Sequence, residues 1–283
     1  MEKKVTEARL LVDFLVEWLQ LSSRNKAKKM IGSGYIHIGG QRVIDQKVIV
    51  NQGDIVVYAR DPYFRQQVHC PLDILYNDQW LMAVDKPAGL LTYGEKGKQG
   101  TSVYKILKDY FAMQQPRSHV FVVHRLDKDV SGVLLFAKNL AVQKKMKDDW
   151  HQVTKKYYAL VHGKPEHDTE IIRNWLAEDD AMRVFESVQG EGKYAETHFE
   201  VLKHIGKMNL TLLNVQIETG RKHQIRVHLS GLGCPVAGDR KYGIENDGFP
   251  NIRLQSYYIC FKHPENQQEI KIEIPLRKNF LKP

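Results

Sequence analysis

Cysteine is scarce in this chain: among 283 residues only Cys70, Cys234 and Cys260 occur. They are odd in number, far apart and in no metal-ligand spacing, which argues against a disulfide framework or a zinc site and for reduced thiols. Long hydrophobic runs are missing too. No apolar stretch approaches the roughly 20 residues needed to span a bilayer, and Met1 to Thr6 leads into an amphipathic helix rather than a signal-peptide core. A soluble, cytoplasmic protein without membrane contact, metal or cofactor is the expectation. Internal repeats and low-complexity segments are also absent.

What is present bounds the answer further. The length allows one large or two unequal domains, and 42% hydrophobic residues suffice for a packed core. A formal net charge of +9 suits a protein that handles a polyanion. Charge by itself reports solubility and non-specific attraction, so the placement of the cations matters more.

Near the N-terminus, Leu11, Phe14, Leu15, Trp18 and Leu19 form one apolar stripe, predicting a helix from about Ala8 to Gln20 with Thr6 as its cap. A second helix follows Ser22-Ser23; its apolar positions Ala27, Met30 and Ile31 leave Arg24, Lys26, Lys28 and Lys29 on the outer face, and Gly32 and Gly34 end it. Tyr35 to Ile38 alternates as a strand, Gly39-Gly40 makes a hairpin turn, and Gly53-Asp54 introduces a strand from Ile55 to Tyr58. A charge run of this kind is ordinarily a solvated face. The order of elements, however, resembles an S4 RNA-binding domain over residues 5 to 60, and that resemblance implies that the four cations meet RNA. Residues 61 to 71, with Pro62 and Pro71, read as a linker, and 72 to 283 as a second domain. Strands dominate there: Ile74 to Tyr76, Leu81 to Asp85, Lys156 to Val161, Ala195 to Leu202, Leu210 to Glu218 and Ile270 to Ile274. Helical pieces intervene around Val103 to Phe111, Leu140 to Trp150 and Lys222 to Leu232. The fold class expected is α+β, a small domain followed by a largely antiparallel, mixed-sheet domain.

The most informative stretch runs from His124 to Gly132, His-Arg-Leu-Asp-Lys-Asp-Val-Ser-Gly, between the apolar runs Val120 to Val123 and Val133 to Phe136. It sets Asp127 on a loop between strands. Asp127-x-Asp129-x-Ser131-Gly132 opens like an EF-hand, but the twelfth position of that loop is Lys138 where calcium needs a bidentate Glu. Asp127-x-Asp129-Val130 also resembles the nucleophile loop of haloacid-dehalogenase-type phosphatases. That chemistry needs magnesium and a downstream acidic pair, and Gly238-Asp239 is followed by Arg240 and Lys241. As a whole, the stretch resembles the catalytic loop of the RluA family of RNA pseudouridine synthases.

The resemblance continues in order along roughly residues 72 to 264. It takes in Asp85-Lys86-Pro87-Ala88-Gly89 as a Lys-Pro-x-Gly turn and Lys155-Lys156-Tyr157 as a Lys-x-Tyr strand. Gly192-Lys193-Tyr194-Ala195-Glu196-Thr197 follows, then Thr219-Gly220-Arg221-Lys222-His223-Gln224-Ile225-Arg226, Gly233-Cys234-Pro235-Val236-Ala237-Gly238-Asp239 and Tyr242-Gly243. Two positions depart from the pattern: Val130 stands where a Thr is usual, and Leu254-Gln255-Ser256 replaces Leu-His-Ala ahead of Phe261-Lys262-His263-Pro264.

Pseudouridine formation breaks the N1 to C1′ bond of a uridine, turns the base and rejoins it through C5. Glycoside hydrolysis by water employs two carboxyls, whereas here the uracil is both leaving group and returning nucleophile, so one carboxylate suffices. The resemblance makes Asp127 that carboxylate. Attack on the ribose, attack on the base and removal of a ribose proton all remain open to it. A charged carboxylate in a cleft needs a fixed cation, and an arginine keeps its charge on burial. The resemblance assigns that part to Arg226; the bland alternative is a structural salt bridge. It also places Tyr157 beneath the target base, where the bland reading is core packing. His124 and Arg125 are expected at the flipped nucleotide, and Arg221 and His223 at phosphate or ribose. A monomer acting on ribosomal RNA of the large subunit, rather than on tRNA, is the expectation that follows. The chief rival is an S4-containing RNA-binding protein without chemistry.

Overall fold

The computed structural model describes residues 1–59, 70–94, 101–114 and 119–283. It divides into two compact units, Met1–His69 with Lys108–His119, and Cys70–Leu107 with Val120–Pro283. Most of the expected linker, Pro62 included, lies outside the described residues.

The first unit opens with β1 (Glu2–Lys4) and β2 (Arg9–Leu10), followed by helices α1 (Leu11–Trp18) and α2 (Arg24–Gly32). Next come β3 (Ile36–Ile38), β4 (Gln41–Val43), β5 (Ile49–Val50) and β6 (Ile55–Tyr58). The sheet order is β1-β6-β3-β4, with β2 and β5 paired separately. The first helix is shorter than its apolar pattern suggests. Arg9 and Leu10 pair with Val50 and Ile49, so the chain stays extended up to Leu10, and neither Thr6 nor any other side chain caps α1. Strand pairing with a distant segment overrides local helix propensity here. Strand β1, also unforeseen, is exposed at all three residues, and its charges protect a sheet edge. The second helix begins as expected: the Ser23 side chain accepts from the Lys26 amide at 3.3 Å. Leu11, Phe14, Leu15, Ala27, Ile31, Ile36 and Val56 form the core of this unit, while Arg24, Lys26, Lys28 and Lys29 are exposed.

The second unit is built on an 11-stranded sheet. Its elements are β7 (Ile74–Asn77), β8 (Leu81–Lys86), α3 (Val103–Gln114, of which the residues up to Leu107 belong to this unit), β9 (Phe121–Val122), β10 (Ser131–Ala137), α4 (Leu140–Asp148) and β11 (Thr154–His162). There follow β12 (Thr169–Glu178), β13 (Val184–Ser187), β14 (Lys193–Ile205), β15 (Leu210–Ile217), α5 (Gln224–Gly231), β16 (Leu254–Lys262) and β17 (Glu269–Glu273). The order is β13-β12-β14-β15-β11-β16-β10-β8-β7, with β17 on β16 and β9 on β10. Among the named strands β10 and β16 run parallel and the other pairs antiparallel, giving the mixed, mostly antiparallel sheet that the pattern implies. Every residue of β10 is buried, as expected of a central strand covered on both faces. One face, with Leu81, Ala83, Val133 and Leu135, packs against Val142 and Met146 of α4.

Candidate active site

Asp127 sits in the loop joining β9 to β10. The flanking Leu126 and Val130 are buried and anchor the loop, while the Asp127 side chain keeps 28% of its surface exposed. Two backbone devices hold this geometry. Gly132 adopts φ +117°, and a Cβ there would fall 1.9 Å from the Ser256 carbonyl oxygen, so β10 approaches β16 as closely as only glycine allows. Lys86, fully buried, donates from Nζ to the carbonyls of Pro87, Leu90 and Lys128 at 3.0, 2.5 and 2.7 Å. It thereby ties the Lys-Pro-x-Gly turn to the Asp127 loop. Burial depresses its pKa to about 8, with the nearby Asp129 and Asp127 charges working in the opposite direction.

Helix α5 brings the cation. Gln224 locks its first turn: Oε1 accepts from the Thr219 hydroxyl (2.7 Å) and the Arg221 amide (3.0 Å). Its Nε2 donates to the Glu196 carbonyl and the Thr197 hydroxyl, both at 2.9 Å. That explains the buried Thr197 in the Gly-Lys-x-Ala-x-Thr strand. Arg226 donates from Nη1 to Oδ2 of Asp127 at 3.0 Å, and from Nε and Nη2 to both oxygens of Asp239 at 2.7 and 2.8 Å. Burial alone would lower the guanidinium pKa, but Asp239, with Asp127 behind it, raises it above its ordinary value. Burial would likewise raise Asp239; Arg226 and the amides of Lys241 and Tyr242 prevail and hold it low.

His223 precedes α5 in a left-handed conformation, φ 55°, uncommon outside glycine. Its Nδ1 lies 2.8 Å from the Tyr242 hydroxyl, which accepts from the Val184 amide at 2.9 Å. The Tyr242 proton is thus free for Nδ1, which leaves the proton of a neutral imidazole on Nε2. Nε2 faces Oδ2 of Asp127 at 3.7 Å. Burial lowers the His223 pKa; Asp127 opposes this, and Arg226, Lys241 and Lys222 add to it.

Tyr157 comes from β11 at a β-bulge: Lys156 faces Tyr258, but Tyr157 faces Ser256. The bulge re-aims the strand beside the loop. Burial pushes the phenol up to about 12, with a Ser256 hydrogen bond lowering it and the Asp127 charge raising it, so it stays protonated at neutral pH. The departure at Gln255-Ser256 is accommodated: Gln255 donates to the Pro275 carbonyl at 2.9 Å and accepts from the Arg277 amide at 3.2 Å.

Asp127, Tyr157, Arg226, Arg125, Arg221 and His223 all line one open cleft of about 730 Å³, with Val130, Ile217 and Leu254 as apolar wall. Arg221 is exposed and donates from Nε to the Tyr194 carbonyl at 2.8 Å. His124 does not line this cleft. Its Nε2 accepts from the Leu135 amide at 3.0 Å, and its ring stacks on Trp150 at 4.6 Å. Burial, with the Lys155 charge, pulls its pKa to about 3, so the ring is a neutral strut of the loop rather than a phosphate-binding cation. Arg24, Lys26, Lys28 and Lys29 belong to the first unit. Among the described residues no group of three or more His, Cys, Asp or Glu side chains is arranged to hold a metal, and no helix is long and apolar enough to cross a membrane. Sequence reasoning missed Asp239, Tyr242 and Gln224 as parts of the site, although each lies within a quoted motif.

A profile of the RNA pseudouridylate synthase family matches residues 80–231, and one of the S4 domain matches residues 9–56. The chain is 32% identical to an uncharacterized RNA pseudouridine synthase of Aquifex aeolicus, over 97% of this chain and 92% of that one. It is 36% identical to the ribosomal large subunit pseudouridine synthase D of Nitrosomonas europaea, over 73% and 62% of the two chains. Among solved structures, human RNA pseudouridylate synthase domain containing 4 shares the fold, with a TM-score of 0.62 at 24% identity over 74% of this chain and 90% of that one.

Proposed function

The chain belongs to the RluA family of RNA pseudouridine synthases, isomerases that act on RNA, and carries an N-terminal S4 domain; on that premise we propose that Asp127 is its essential catalytic carboxylate and large-subunit ribosomal RNA its substrate. The observation that carries the reading is the ion pair of Asp127 with Arg226, itself anchored on buried Asp239, in a cleft shared with Tyr157. Arg226 pairs with the carboxylate and aims it through a donor whose position is fixed before substrate arrives. As the N1 to C1′ bond breaks, the electron pair leaves with the uracil; C5 of the turned base then bonds to C1′ and gives up its proton, and N1 takes one up, so that the product is an isomer of the uridine. The protonated Tyr157 supplies a stacking face and a hydroxyl under the base, a role that needs no phenolate. Extrusion of the nucleotide is required for both C1′ and C5 to be reached, and Arg125, exposed at the cleft, takes the place it vacates or holds its phosphate. Arg221 meets phosphate or ribose. The neutral His223 offers Nε2–H toward the same carboxylate.

Residues 5 to 60 grip structured RNA through Arg24, Lys26, Lys28 and Lys29, and residues 72 to 283 carry out the reaction, as a monomer in the cytoplasm. The ribosomal choice is supported by the name of the Nitrosomonas europaea relative. Carbodiimide primer extension on ribosomal and transfer RNA from cells lacking the protein tests it. Loss of a stop in large-subunit RNA, restored by the wild-type chain, is expected; loss confined to tRNA overturns the substrate, and loss nowhere overturns the function.

A further inference from the structure

A second groove, of about 1340 Å³, borders the other part of the Asp127 loop and shares Arg125 and Leu126 with the cleft. Two features set it apart from ordinary surface. Tyr93 is 58% exposed, and its ring lies 4.6 Å from that of the half-buried Tyr104, centroid to centroid and tilted by 42°, so the pair presents the open Tyr93 ring to the groove. Around this pair stand Arg125, Lys128 and Lys147, all exposed and without an ion-pair partner among the described residues, and no described carboxylate lines the groove. An aromatic platform rimmed by unpaired cations is what an unstacked base and its phosphate require.

The platform is held in register with Asp127. The Thr92 hydroxyl donates to the Leu126 carbonyl at 2.8 Å and accepts from the Leu126 amide at 3.1 Å. The Tyr104 amide donates to the Thr92 carbonyl at 3.1 Å. Tyr93 and Tyr104 are thus tied to the residue just before Asp127, and a strand whose target base occupies the cleft would continue past Arg125 into the groove.

We infer that this groove receives an unpaired nucleotide adjoining the target uridine, its base stacked on Tyr93 and Tyr104 and its phosphate held by Lys128 and Lys147. The inference rests on the proposed chemistry at Asp127 for the identity of the neighbouring site. The probe is a fluorescein-labelled heptauridylate carrying 5-iodouridine at one position, used for both binding and photocrosslinking to the full chain. Crosslinks at Tyr93 or Tyr104 are expected when the iodouridine adjoins the central nucleotide. Tyr93→Leu should weaken binding about fivefold to 100-fold, the loss of one base stack, and Tyr93→Phe should keep it. Equal affinity for wild type and Tyr93→Leu, or crosslinks only at other residues, would overturn the site. Pseudouridine formed by an Asp127→Asn chain would overturn the catalytic reading and leave a Tyr93 crosslink standing, so the two failures are distinguishable.

Discussion

Arg226 reaches Asp127 with a single donor, Nη1 at 3.0 Å, because Nε and Nη2 of the same guanidinium are committed to both oxygens of Asp239. The buried Asp239 therefore sets where the charge beside Asp127 stands. Asp239→Asn should lower kcat about 10- to 100-fold, the range found when groups that orient a functional residue are altered, with KM little changed and the fold retained. Arg226→Lys should rescue little, since an ammonium cannot serve two carboxylates in a fork. Arg226→Ala strands a buried carboxylate and should cost about 3 to 5 kcal/mol in a urea titration as well as activity. Full activity in either Arg226 variant would remove the ion pair from the mechanism.

His124 and His228 make the fold acid-labile. Burial lowers their pKa values to about 3 and about 4, below the 6.5 of an unfolded histidine. Between those limits the unfolded chain binds protons that the folded rings refuse, so stability is complete above pH 6.5 and falls as pH drops through the window. For His124 the loss by pH 5 is roughly 2 kcal/mol. Urea midpoints at pH 7 and pH 5 measure it. In His124→Gln, which keeps an acceptor for the Leu135 amide, the pH dependence should shrink; an unchanged slope would discount His124.

Gly132→Ala should destabilise the second unit severely, by about 3 kcal/mol or more. The substitution combines a positive φ with a Cβ placed on the Ser256 carbonyl. Thermal unfolding checks this, and a melt within a few degrees of wild type would contradict it.

The cations of α2 are expected to act through phosphates. Replacing Arg24, Lys26, Lys28 and Lys29 by Gln should raise KM for structured RNA and leave kcat largely intact. Arg24 is partly engaged, 3.0 Å from Asp13, so most of the effect belongs to the three lysines. Each lost contact should flatten the slope of log K against log salt by roughly 0.7 to 0.9. A salt titration giving parallel lines of equal affinity would mark α2 as a merely solvated face.

Local signals carried much of this in the sequence. The apolar stripe of α1, the Ser23 cap and the apolar runs of β8, β10 and β15 are set by neighbours within a turn or along a strand, and each element appears near its expected place. What failed to show depends on distant partners. Arg9 and Leu10 read as helix and pair as strand because Ile49 and Val50 lie beside them. β16 does not stand out as a strand because Gln255 and Ser256 interrupt its apolar pattern, yet both are fully buried, Gln255 being satisfied by Pro275 and Arg277. Asp239 reads as a rejected metal ligand and as the end of a motif, and neither names its partner, Arg226, which lies 13 residues earlier in the chain. His124 looked like an RNA contact by its place in the motif, and only the Leu135 amide reveals its use. The cleft residues themselves were legible because their motif is long and ordered.

The most direct test of the account is pseudouridine formation by Asp127→Asn, assayed on RNA from cells lacking the protein, alongside RNA affinity and thermal unfolding. The amide keeps the shape of the side chain and removes its charge. The account predicts near-normal folding and binding with turnover below about one per cent of wild type, since essential catalytic groups are worth more than about 10²-fold. Turnover close to wild type in a folded Asp127→Asn chain would contradict it.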